Sequence, residues 1–148
     1  MAPGRFTELF FVDEATAFAA GHRPCAECRR EDFMNFTGSW RAMHPEQVRA
    51  AAIDAQLQRE RIDENTDARR LHHAQLDDLP DGAFIVNDGK AWLVRGDEIL
   101  RWNPWGYTQA ERRLRRRSVV LLTPPSIVAV LRSGWTSSVP FLHPSAIH

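Results

Sequence analysis

Hydrophobic positions change their period near residue 80. Before it, apolar residues recur at helical spacing: Phe33, Phe36 and Trp40 in "RREDFMNFTGSWRAM", then Val48, Ala52, Ile53 and Leu57 in "HPEQVRAAAIDAQLQRERI". Pro45 and Glu46 suit the first turn of that second helix, while Gly38 weakens the first. Further upstream, Thr7–Val12 is rich in strand formers. Asp13 then suits an N-cap, Ala15–Ala20 a short helix and Gly21 its C′ position. After "LPDG" the pattern becomes short apolar runs split by turn residues: "AFIVN", "KAWLVRG", "EILRW" and, later, "SVVLLT". Thr123, Pro124 and Pro125 open a last helix, "SIVAVLR", which Gly134 closes. "NPWGY" reads as a loop and "ERRLRRR" as a basic run. The expected fold is α+β: a strand, helix and cysteine knuckle with further helices, then a small antiparallel sheet carrying a C-terminal helix. Three segments follow (1–43, 44–78 as a helical stretch, and 79–148), expected to form one compact unit.

Size and charge fit a single globular domain. A chain of 148 residues can bury roughly 70% of its unfolded surface. Acidic and basic residues balance at 19 each, so no global field draws in polyanions or membranes. Only Lys90 among the basic residues is a lysine; the others are arginines, whose rigid forks suit carboxylates and phosphates. No apolar stretch approaches the length of a membrane helix, and the first residues lack the pattern of a signal peptide. A cytoplasmic address is the default expectation, and there a Cys-x-x-Cys is metal-binding or redox-active more readily than a structural disulfide.

Both cysteines lie in "GHRPCAECRR", as Cys25 and Cys28. That spacing lets two thiolates bind one tetrahedral Zn²⁺ while turn amides hydrogen-bond the sulfurs, but it supplies two of four ligands. A buried structural pair and a redox pair share the spacing; the βαβ context of a thioredoxin-like motif is absent. The stretch "ELFFVDEATAFAAGHRPCAECRRED" resembles the second half of the Ada-type zinc-binding domain of bacterial DNA alkylation-response proteins. The likeness runs from Thr7 to about Arg30 and includes Gly21, Arg23, Pro24, Cys25 and Cys28. In that family such a segment delivers the last two of four zinc cysteines. The first two, one of them the methyl acceptor, would precede Met1 here, so methyl transfer does not carry over. Three outcomes stay open: histidines complete the site, the metal has been lost, or the native chain starts further upstream. The resemblance further implies that Arg23, Arg29 and Arg30 lie against a DNA backbone, where they position without reading sequence.

Other candidate chemistry is thinner. His72 or His73, with His44 or His143, could complete a Cys₂His₂ zinc set, although adjacent side chains point apart. His22 reads as a solvent-facing turn residue. Arg112, Arg113, Arg115, Arg116 and Arg117 form either a solvated face or a phosphate-contacting patch, with Trp105 and Tyr107 as stacking platforms for bases. Thr123 and Ser126 fit helix capping rather than nucleophilic catalysis, and no phosphate-binding loop, dinucleotide fingerprint or HExxH is present. The leading expectation is therefore a zinc-binding, DNA-binding protein of the Ada metal-binding type without its methyl-acceptor half. The alternatives are a metal-dependent enzyme using His72, His73, Asp77 and Asp78, or a protein-interaction module.

Overall fold

A computed structural model describes residues 13–63, 65–135 and 141–146, so the strand expected at Thr7–Val12 lies outside the described residues. Among those residues the architecture is α+β, with four helices and one six-stranded antiparallel sheet. The short helix α1 (Glu14–Ala19) starts where Asp13 accepts hydrogen bonds from the Thr16 amide at 2.9 Å and hydroxyl at 2.8 Å. It ends at Gly21, whose φ of 83° is the left-handed C′ conformation that glycine adopts without strain. Helix α2 (Arg30–Trp40) runs straight through Gly38, because Phe33, Phe36 and Trp40 fall on one buried face whose packing outweighs one poor helix former. The Phe36 and Trp40 rings stack at 5.6 Å.

Helix α3 (Ala50–Arg61) begins five residues later than Pro45 suggests. Residues 44–47 instead form a turn closed by the Gln47 amide on the His44 carbonyl at 3.0 Å, and the Gln47 side chain accepts the Trp40 indole N–H at 3.0 Å. Val48 is consequently 43% exposed, and α3 buries only Ile53 and Leu57. The helical reading of 44–78 also ends early. The chain turns at 65–66 and forms strand β1 (His72–Gln75), then a 3-10 turn, Leu76–Asp78.

The meander follows as expected: β2 (Phe84–Asn87), β3 (Lys90–Arg95) and β4 (Glu98–Asn103). Asp88 and Gly89 both have positive φ, the tight reversal that matches strand twist in a two-residue hairpin. The segment that reads as a loop and a basic run contains β5 (Gly106–Arg112), whose outer residues carry no apolar alternation. β6 (Ser118–Leu121) returns between β1 and β2, giving the order β1-β6-β2-β3-β4-β5. Alternation sorts the two faces. Phe84, Leu93, Leu100 and Tyr107 pack against Ala15 and Ala19 of α1, whereas Ile85, Trp92, Val94, Ile99, Val119 and Leu121 pack with Leu76 and Leu79.

Helix α4 (Pro125–Arg132) ties the halves together. Its Val128 joins the second sheet cluster, and its Ile127 and Val130 join the helical core of Phe18, Phe33, Phe36, Trp40, Ile53 and Leu57. The capping expected of Thr123 and Ser126 is distributed differently. Thr123 Oγ1 accepts the Phe84 amide at 2.8 Å, and the carboxylate of Glu60 on α3 accepts the Ser126 amide at 2.9 Å. A carboxylate at that helix start satisfies an orphan N–H and complements the helix dipole.

Candidate metal and nucleic-acid sites

The cysteine turn bridges α1 and α2. Both thiols are exposed. The Cys28 amide donates to Cys25 Sγ at 3.3 Å, and the Arg29 amide donates to the Cys25 carbonyl at 3.1 Å, folding the turn onto the start of α2. Amides of Cys28 and Glu27, with the Cys28 thiol, hold the Cys25 thiol below its ordinary value, while donation to Cys25 and its charge push Cys28 up. Amides aimed at a sulfur are what a metal-binding thiolate requires of its surroundings, so the turn fits two zinc ligands.

No third ligand is gathered there: among the described residues, no three His, Cys, Asp or Glu side chains form a group able to hold a metal ion. His72 and His73 take no part in such a group among the described residues. They stand on β1 with opposite exposure, and the His72 Nε2 is 2.6 Å from the Glu60 carbonyl oxygen. His73 is exposed, as are Asp77 and Asp78 in the following turn. His44 is bonded to the Ser126 hydroxyl at 2.9 Å, and His143 Nδ1 to Ser145. Sequence could not show this, because each histidine pairs with a residue far along the chain or in a turn.

Ser126 lies between His44 and Glu60, donating its hydroxyl to the Glu60 carboxylate. A nucleophile needs its base as proton acceptor and an orienting acid behind that base. Here the serine is the middle member and is buried, so the trio locks α3 to α4.

The arginines near the cysteines are largely committed to the fold. Arg23 pairs with Asp54 through two bonds of 3.1 Å and lies 5.4 Å from the centre of the Phe33 ring. Arg29 pairs with Glu14 and Asp32, each at 2.6 Å, linking α1 to α2. Arg30 is exposed. Tyr107, expected to stack on bases, is only 8% exposed, and its hydroxyl donates to Asp13 at 2.8 Å. Burial and that carboxylate push its ionisation far above the ordinary tyrosine range. Trp105, by contrast, is 73% exposed.

The basic run separates into an anchor and a rim. Arg113 donates Nε to the Leu76 carbonyl at 2.9 Å, Nη1 to that of Gly96 at 3.1 Å and Nη2 to that of Leu79. Arg112, Arg115, Arg116 and Arg117 are exposed, and their guanidinium groups make no hydrogen bond or ion pair among the described residues. Arg116 has a φ of 56°, a left-handed conformation disfavoured for a side-chain-bearing residue. Beside it opens a groove of about 440 Å³ lined by Asp97, Arg112, Arg113, Leu114 and Arg115. Sequence gave five equivalent arginines; one of them is structural.

No helix among the described residues is long and apolar enough to cross a membrane. No protein-family model matches the chain, and neither a curated protein nor a solved structure is significantly similar to it, so the likeness of residues 7–30 to the Ada-type domain stands on those residues alone.

Proposed function

We propose that the chain is a nucleic-acid-binding protein whose contact surface is the arginine turn 112–117, and that Cys25 and Cys28 hold Zn²⁺ as a structural ion. One observation carries the first part: Arg113 is spent on three carbonyls, and it fixes a turn from which Arg112, Arg115, Arg116 and Arg117 project without partners. Four like charges held close together repel one another, and a phosphate backbone relieves that repulsion. Trp105 stands at the opposite end of β5, about 20 Å away by strand rise. A single strand lying along this sheet edge would meet phosphate contacts at one end and a stacking ring at the other.

The zinc part is supported by the amide-to-sulfur bond and by the exposure of both thiols. The turn supplies two of the four ligands of a closed site. Zinc chemistry here is structural: bound metal would fix the α1–α2 connection.

The test is fluorescence anisotropy with short single- and double-stranded oligonucleotides across a salt series. Replacing Arg112, Arg115, Arg116 and Arg117 by glutamine should weaken binding and flatten the dependence of log K on log salt by roughly 3, the contribution of four phosphates. An unchanged slope rejects the arginine turn as the contact surface. Elemental analysis of unchelated protein tests the metal: zinc lost in a Cys25→Ser/Cys28→Ser variant supports it, and zinc absent from the wild type rejects it.

A further inference from the structure

Both cysteines of the chain stand on the surface, three residues apart. Free cysteine is among the most buried residue types, where it packs as a small hydrophobe. Here neither side chain belongs to an apolar cluster among the described residues. Their neighbours do the packing instead. Pro24 is buried, Ala26 packs against the helical core, and Arg29 is held by Glu14 and Asp32. The backbone of the turn is therefore anchored on both sides, and it presents the two sulfurs to solvent. Burial gives no reason for cysteine at either position, which leaves reactivity as the property that explains them.

The turn also has the geometry for a bond between them. The Arg29 amide donates to the Cys25 carbonyl at 3.1 Å, the i to i+4 bond of a helical turn. Such backbone sets Cα atoms three residues apart about 5 Å from each other. A disulfide spans roughly 4.4–6.8 Å between Cα atoms. The Cys28 amide lies 3.3 Å from Cys25 Sγ, so the Cys25 side chain is already turned toward residue 28. Closing the bond needs rotation of side chains and no displacement of the anchored backbone.

We infer that Cys25 and Cys28 are a reversible thiol–disulfide pair, oxidised by small-molecule disulfides, and that its redox state controls metal occupancy of the turn. An external disulfide, RSSR, is the oxidant. A thiolate of the pair attacks one sulfur of RSSR; its S–S bond breaks and RS⁻ leaves, taking up the proton which that thiol gave away. The second cysteine then loses its proton and attacks the protein sulfur of the mixed disulfide, releasing the other RS⁻ to be protonated in turn. The pair has lost two electrons and two protons, and RSSR has gained them as two RSH. Pairing of the sulfurs does not depend on zinc. Only its effect on metal rests on the zinc reading, because a disulfide has no thiolate left to bind Zn²⁺. Oxidation and zinc are then exclusive states of one turn.

The probe is glutathione disulfide, added to the reduced full chain with and without a metal chelator and followed by acid quench, intact mass and a chromogenic zinc indicator. The wild type should lose two hydrogens in mass and both free thiols, and dithiothreitol should restore them. Cys25→Ser and Cys28→Ser, each at an exposed side chain, should stop at the mixed disulfide with one glutathione. In the wild type that adduct should stay at roughly a tenth or less of its level in either variant, because the second thiol attacks within the same turn. Bound zinc should slow the reaction and be released in step with thiol loss. A mixed disulfide that persists in the wild type as it does in the variants, or chelator-treated protein that keeps both thiols, would overturn the proposal; zinc held by such protein before chelation would leave the zinc reading standing. A disulfide that forms in protein found to hold no zinc supports the pair and rejects the zinc reading alone.

Discussion

Replacing Asp13 by alanine should destabilise the protein far more than the loss of an ordinary helix cap. One carboxylate oxygen accepts the Thr16 amide and hydroxyl, and the other accepts the Tyr107 hydroxyl at 2.8 Å and the His143 amide at 2.9 Å. The residue therefore joins α1, strand β5 and the C-terminal segment through one side chain. Losing an N-cap costs about 1 kcal/mol. Losing a bond from a buried hydroxyl to a carboxylate costs about 1.5–3 kcal/mol, because the Tyr107 hydroxyl is left without an acceptor. Together these give about 2.5–4 kcal/mol, or a fall in melting temperature of roughly 5–16 °C for a domain of this size. Chemical denaturation of Asp13→Ala, Tyr107→Phe and the double variant measures this directly. Tyr107→Phe alone should cost about 1–2 kcal/mol, and the double variant should cost less than the sum, since both changes remove the same bond. A cost for Asp13→Ala below about 1 kcal/mol, or strict additivity, would refute the picture of one carboxylate clasping three elements.

Two other outcomes follow from the sites. Arg116→Gly should stabilise the protein by up to about 1 kcal/mol, because glycine accepts the positive φ of that position; it should also weaken oligonucleotide binding, so opposite signs in unfolding and anisotropy are expected. At the cysteine turn, alkylation of metal-free protein followed by mass spectrometry should modify Cys25 before Cys28. The Cys28 and Glu27 amides and the Cys28 thiol lower the Cys25 value, whereas Cys28 is raised, so as pH climbs the Cys25 rate should rise first; the reverse order would contradict the assigned hydrogen bonds.

Where the signals were local, they could be read without the fold. Asp13 three residues before Thr16, the Asp88–Gly89 reversal and the Pro125–Gly134 bounds of α4 each depend on a few neighbouring residues. Helix α3 was misplaced at its start because Pro45 and Glu46 satisfy the local rule for a first turn, while the pairing of Gln47 with Trp40 is a tertiary contact that overrides it. Strand β5 was missed for a related reason. "TQAER" is an exposed edge, stabilised by the ladder to β4 rather than by alternating apolar residues.

The sequence by itself determined that this is an α+β protein with a cysteine turn after a short capped helix, and that arginine carries nearly all its positive charge. Period, caps and turn residues are properties of adjacent positions, so they survive in a linear reading. Only the tertiary structure decided what each charged side chain does. It separated Arg113, tied to three carbonyls, from the outward arginines beside it, and it gave Arg23 and Arg29 to Asp54, Glu14 and Asp32. It also withdrew Tyr107 from the surface to meet Asp13, and set His72 against the Glu60 carbonyl rather than beside the cysteines. The physical reason is common to all of these. A buried or half-buried charge must find a partner, and the partner is chosen by proximity in space between residues whose separation along the chain carries no signal.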